Sequence, residues 1–151
     1  MMNVEMEKML TQITNNSVPD LWRARSYPSR KALLPYVRDL QRRLKMLEDW
    51  IAKGQPSVFW ISGFFFTQSF LTGVKQNFAR KYRYPIDKVS FKFSVLKYEA
   101  AIEQPPEDGC ISNGFFLEGA SWNNIEGLLQ EAMPKELMIE MPPIHFIPEL
   151  I

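Results

Sequence analysis

Two side chains able to act as a nucleophile and a base near neutral pH occur once each in the 151-residue chain, Cys110 and His145. A thiol attacks only as thiolate, and it needs an imidazole or another cation beside it to reach that state. Neither residue carries a local signature of such chemistry. Cys110 opens the apolar run CISNGFFL, and His145 stands between Ile144 and Phe146 among prolines. Those settings suit a packed thiol and a strand-edge histidine, so a Cys110–His145 dyad rests on residue type alone. Glu103, Glu107 and Asp108 share the loop EQPPEDG. Three carboxylates can hold a hard cation, but on a proline-rich loop water solvates them just as well. One Cys and one His cannot complete a Cys/His zinc centre. Glycines at 54, 63, 73, 109, 114, 119 and 127 match neither GxxxxGK[ST] nor GxGxxG, so no phosphate-cradling loop is encoded. The expectation is a segment without catalytic residues, metal or cofactor.

The cations are more suggestive. They cluster at Arg23, Arg25, Arg30 and Lys31, at Arg42, Arg43 and Lys45, and at Arg80, Lys81 and Arg83. Such clusters either coat solvated helix faces or dock onto an acidic protein surface, where arginine is favoured. The charge balance argues against nucleic acid as a dedicated partner, because 18 basic and 17 acidic residues leave a net charge of +1 and no attractive field. Arg38, Arg42, Arg43, Arg80 and Lys81 are the candidate docking residues.

These groups must be carried by secondary structure, and the apolar periodicity says which. Val4, Met6, Met9, Leu10 and Ile13 recur at helical spacing until Asn15-Asn16-Ser17-Val18-Pro19 stops them. Asn15-Asn16-Ser17 also fits a glycosylation sequon, but without a secretory signal it reads as a polar turn. The prolines and rings of residues 19–31 predict an ordered loop pinned by Trp22 and Tyr27. Leu33, Val37, Leu40, Leu44, Leu47 and Ile51 then mark an amphipathic helix that starts near Ala32 or Leu33 and ends at Gly54 and Pro56. Pro35 is tolerated there only in the first turn.

VFWISGFFFTQSFLTG, residues 58–73, is the most apolar stretch. Ser62, Gly63, Thr67, Gln68 and Ser69 interrupt it, and it falls short of the roughly 20 apolar residues of a spanning helix. No membrane insertion is expected. Val58 to Phe65 reads as a short strand, followed by a helix capped by Thr67 and running to about Lys81, with Gly73 marking a close approach. Alternation over Val89–Val95 predicts a half-buried strand. Cys110–Leu117 and Leu137–Met141 predict two more, and Ile144–Ile147 reads as extended. Residues 123–133 read as a loop with at most one helical turn. Trp50, Trp60, Phe64, Phe66, Phe70, Leu71, Val74, Phe78 and Trp122 are the expected structural core.

The order is helices first and strands second, which is α+β: N-terminal helices followed by an incomplete small antiparallel sheet or barrel. Three or four strands leave apolar edges unpaired, so either a partner or a further segment completes the sheet. The lone cysteine and the lack of a signal peptide make a reducing intracellular compartment the default.

Beyond these physical readings, ordered blocks of residues resemble a known family. Phe59-Trp60-Ile61-Ser62-Gly63-Phe64-Phe65-Phe66, Phe70-Leu71-Thr72-Gly73 and Gln76-Asn77-Phe78-Ala79-Arg80-Lys81 are followed by Pro85-Ile86-Asp87. Pro105-Pro106-Glu107-Asp108-Gly109 and Gly114-Phe115-Phe116-Leu117-Glu118-Gly119-Ala120-Ser121-Trp122 come later. Val18-Pro19-Asp20-Leu21-Trp22, Ser26-Tyr27-Pro28-Ser29, Asp39-Leu40 and Arg43-Leu44 lie upstream. Together these resemble the C-terminal domain of dynein heavy chains, with wording closest to the axonemal, inner-arm kind.

The resemblance implies a non-catalytic module that braces an AAA+ motor ring in ATP-driven, minus-end-directed movement along microtubules. ATP and Mg belong to that ring and not to this segment. The implied partners are the rest of the heavy chain and, through the parent complex, intermediate and light chains and microtubules. The implied location is the cytoplasm and cytoskeleton, in the ciliary or flagellar axoneme. It further implies residues 1–17 as the end of a helix leading out of the ring, 18–84 as the helical part and 85–151 as an incomplete β-rich part. A chain truncated at both ends is therefore expected. The alternative is a free-standing adaptor domain of the same fold without a motor.

Overall fold

The computed structural model describes residues 3–97 and 102–151, and it divides into two compact units, Met1–Ala52 and Lys53–Ile151. The architecture is α+β, with helices first and small open sheets after them.

In the first unit, α1 (Val4–Thr14) starts where the Asn3 side chain accepts the Met6 N–H at 2.8 Å. The first two residues of the expected helix lie outside the described residues. Asn16 takes a left-handed φ of 54°, which turns the backbone. Its carbonyl then accepts the Leu33 N–H at 3.0 Å, and its side-chain Oδ1 accepts the Leu34 N–H at 3.4 Å. The polar turn thus satisfies orphan donors at the start of α3 (Leu33–Lys53). Between them the expected loop holds one short helix, α2 (Asp20–Arg23). Val18, Pro19 and Tyr36 form the buried centre, with Tyr27 stacked on Tyr36 at 5.5 Å. Gly54, at φ +86°, ends α3.

The second unit opens with β1 (Val58–Trp60), which passes into a 3-10 turn at Ile61–Gly63. The strand expected to reach Phe65 is therefore shorter. Helix α4 (Thr67–Tyr82) follows. Thr67 lies inside the helix rather than capping it; Phe66 holds the cap position without a side-chain bond. A Cβ at Gly73 meets nothing within 4 Å, so the close approach expected there is absent.

The main sheet has four strands in the order β1-β3-β8-β2, where β2 is Val89–Val95, β3 Cys110–Asn113 and β8 Ile144–Leu150. Strands β2 and β8 pair antiparallel over all seven residues, Val89 against Leu150 through Val95 against Ile144. The segment expected to be merely extended before Pro148 is thus a central strand, and it continues past that proline. β3 joins β8 antiparallel and β1 parallel, and α4 packs on β2 and β8.

Phe146 is the hub: its ring meets Phe91 and Phe93 edge-on at 5.7 and 5.3 Å, and Phe115 at 5.7 Å. The run expected as one strand from Cys110 to Leu117 is broken at Gly114. There a left-handed φ of +84° meets a close approach to Trp60. Beyond it, β4 (Phe116–Glu118) pairs with β7 (Met138–Glu140), and β5 (Ala120–Asn123) pairs with β6 (Leu128–Glu131). The last pair corrects the expected loop over 123–133. The described residues hold eight strands rather than three or four. None of the helices among the described residues is long and apolar enough to cross a membrane.

Candidate protein-docking surfaces

The catalytic candidates are kept apart by strand register. Cys110 faces Phe146 across the β3–β8 pair, and Ile111 faces His145. Cross-strand partners share a face and neighbours along a strand alternate, so Cys110 and His145 project from opposite faces. Cys110 is buried, and that burial pushes its thiol pKa up despite a contact with Ser112 Oγ at 3.8 Å. The thiolate that chemistry needs is disfavoured there. His145 Nε2 lies 3.0 Å from the Asp108 carbonyl oxygen, a bond that anchors the loop.

The acidic loop does not converge on a cation site. Glu103 and Glu107 are exposed, and no group of three or more metal-ligating side chains occurs among the described residues. Asp108 instead accepts from Lys81 Nζ at 2.8 Å and from the Tyr82 hydroxyl at 2.7 Å. Desolvation opposes its ionisation, but these two donors prevail and hold the carboxyl below its ordinary range. The same bond to Asp108 raises the Lys81 pKa. Gly109 lets the loop close: a Cβ there would sit 1.9 Å from the Phe146 carbonyl oxygen.

The five candidate docking cations have different fates. Arg38 and Arg42 are exposed on α3. The Arg43 guanidinium lies 3.7 Å from the centre of the Tyr27 ring and pairs with Asp39, which leaves its side chain only 17% exposed. Asp39 also binds Lys31 at 2.9 Å. Arg80 is exposed, whereas the neighbouring Lys81 is tied to Asp108.

The expected core residues differ as well. Trp60, Phe64, Phe70, Leu71, Val74 and Phe78 are half-buried in the second unit, and Trp50 and Trp122 are half-buried too. Phe70 stacks on Phe64 at 4.4 Å and lies 4.8 Å from the buried Phe59. Phe66 is 66% exposed and is not a core residue of this unit; its ring instead meets that of Phe65 edge-on at 4.8 Å. Phe59 and Phe146, which the apolar pattern does not single out, are the more deeply buried rings.

The exposure of α3's apolar stripe is what the sequence pattern signals least. Leu40, Leu44, Leu47 and Ile51 recur at three- and four-residue steps, yet Leu44 is 52% and Ile51 88% exposed. Val4, Met6 and Leu10 of α1 are exposed as well. An exposed apolar helix face of this kind is a candidate surface for docking.

Comparison with known proteins gives these surfaces a context. The family model for the C-terminal domain of dynein heavy chains matches residues 1–150. Dynein axonemal heavy chain 1 of Rattus norvegicus is 50% identical over 148 residues, 97% of this chain. Dynein axonemal heavy chain 12 of Mus musculus is 49% identical over 149 residues, 99% of the chain, and heavy chain 3 of Homo sapiens is 49% identical over 148, 98% of it. The chain spans only 3%, 5% and 4% of those relatives, respectively. A family match over nearly every residue, at about half identity, shows that the chain belongs to the family of C-terminal domains of dynein heavy chains.

Proposed function

We propose that the chain is a non-catalytic structural and regulatory module that braces the AAA+ ring of an axonemal dynein heavy chain. In this reading ATP and Mg bind in the ring, outside the segment. The module tunes how hydrolysis there becomes minus-end-directed movement on microtubules in cilia or flagella. Its direct partner is the remainder of the heavy chain; intermediate chains, light chains and microtubules are reached through the complex. Residues 1–17 then end a helix that leads from the ring, 18–84 are the helical part and 85–151 the β-rich part.

The observation that carries this reading is the exposed apolar face of α3 in a chain whose relatives are many times longer. Leu44 and Leu47 are already about half buried, so covering the remainder gains about 0.8–1.5 kcal/mol each, and the face as a whole contributes several such terms to docking. Arg38 and Arg42, exposed on the same helix, are the candidate charges for choosing the register of docking.

The test titrates this chain against the remaining heavy chain. Leu44→Asp with Leu47→Asp is expected to weaken association at least about tenfold, and Arg38→Glu with Arg42→Glu to weaken it less and in a salt-dependent way. Unaltered binding of the leucine variant overturns the reading. Calorimetry of the chain with Mg-ATP is expected to show no saturable affinity, and a specific site would contradict the non-catalytic assignment.

A further inference from the structure

Helix α4 ends in a conformation its sequence does not favour. Arg83 caps it at φ 59° and ψ 39°, the left-handed geometry where glycine or asparagine is usual. A Cβ crowds the following carbonyl there. The turn is firmly held, since the Arg83 and Tyr84 N–H groups both point to the Ala79 carbonyl, the latter at 2.9 Å, and Pro85 forbids continuation. Strain of this kind collects at functional sites, where the side chain itself is needed.

The Arg83 side chain lines a concavity of about 470 Å³ together with Gln76, Ala79, Arg80, Tyr84 and Ile86. Its wall carries two guanidinium groups and no carboxylate. Neither arginine has an ion-pair partner among the described residues, in contrast to the neighbouring Lys81. Tyr84 and Ile86 supply exposed apolar surface, 39% and 42% accessible. The Tyr84 ring is set in place by stacking with Tyr82 at 6.0 Å and by Phe78 at 6.2 Å. Unpaired arginines beside a fixed aromatic ring are the composition of a protein-recognition site, and their planar forks match a carboxylate.

We propose that this concavity docks an acidic peptide segment of a partner protein. A carboxylate of the segment meets Arg80 and Arg83, and an adjoining apolar side chain rests on Tyr84 and Ile86. Two cations at the concavity neutralise only two phosphates, too few to hold a nucleic acid, whereas they suffice for a short acidic segment seated on Tyr84 and Ile86. The site lies on α4 and its cap, so it stands independently of docking through α3.

The experiment measures fluorescence anisotropy of a labelled Glu-Glu-Leu-Glu-Glu-Leu peptide with the 151-residue chain at low salt. A Gln-Gln-Leu-Gln-Gln-Leu peptide serves as control. Saturable binding of the acidic peptide is expected, weakened about fivefold by Arg80→Glu or Arg83→Glu and diminished by salt. Arg83→Gly removes the cation while relieving the left-handed strain, so the same loss of binding should accompany an unchanged or higher Tm. Equal binding of the neutral peptide, or unaltered affinity in both charge reversals, overturns the proposal. Displacement of the peptide by an oligonucleotide at matched charge also overturns it, and a lower Tm for Arg83→Gly refutes the strain.

Discussion

Arg43, Tyr27 and Asp39 show how position within a fold decides what a charged residue does. Arg43 is one of several arginines on α3, but its guanidinium is stacked on a ring and paired with a carboxylate that is 11% exposed. Asp39 resists burial, yet hydrogen bonds from Lys31 and Arg43 hold its pKa below the ordinary value. Because the folded pKa is depressed, the stabilisation is complete above the unfolded value of about 3.9. It is lost as pH falls through that value towards the folded pKa. Asp39→Asn is therefore expected to cost about 1–2 kcal/mol at neutral pH and to flatten the acid limb of stability. Urea unfolding across a pH series measures both, and an unchanged acid limb contradicts the assignment. The local sequence separates Arg43 from Arg42 in one respect, since Asp39 stands four residues before Arg43 and Arg38 four before Arg42; the stacking on Tyr27 comes from the fold.

At the scale of elements, helices are more legible in the sequence than strands, and for a physical reason. The stripe from Leu33 to Ile51 and the breaker Gly54 specify α3 to within a few residues, and the apolar spacing from Val4 specifies α1 likewise. The β5–β6 hairpin escapes an apolar-pattern reading because β6 is wholly exposed and shows no alternation of burial. Its signal lies in the turn: Asn123 Oδ1 accepts the Ile125 and Glu126 N–H groups at 2.9 and 3.1 Å, and Gly127 N–H returns to the Asn123 carbonyl. Asn16 is the corresponding turn residue in the first unit. Asn16→Ala is expected to cost about 1 kcal/mol, and Asn16→Gly less, since glycine keeps the left-handed φ while losing only the side-chain acceptor. Thermal unfolding of the pair orders them, and equal losses would show that the left-handed backbone is unimportant.

At the scale of the whole molecule, large apolar side chains are exposed in both units: Leu44, Leu47 and Ile51 in the first, Phe65, Phe66, Phe93 and Leu137 in the second. Surfaces of this kind associate when left uncovered. Analytical ultracentrifugation of the chain by itself is expected to show concentration-dependent self-association that Leu44→Asp with Leu47→Asp reduces. A monodisperse monomer at all concentrations would contradict this.

Family membership, the α+β order and the helix positions follow from residue identity and spacing, because each depends on neighbours a few positions apart. Register and long-range approach do not. They place Cys110 and His145 on opposite faces of the sheet. They also make Phe146 rather than Phe66 a centre of packing, bring Tyr27 onto Arg43, turn Lys81 towards Asp108, and leave Arg80 and Arg83 without an ion pair among the described residues. Strand pairing joins residues separated by dozens of positions, and a shift of a single residue moves a side chain to the other face. Local sequence carries no record of that choice; packing makes it.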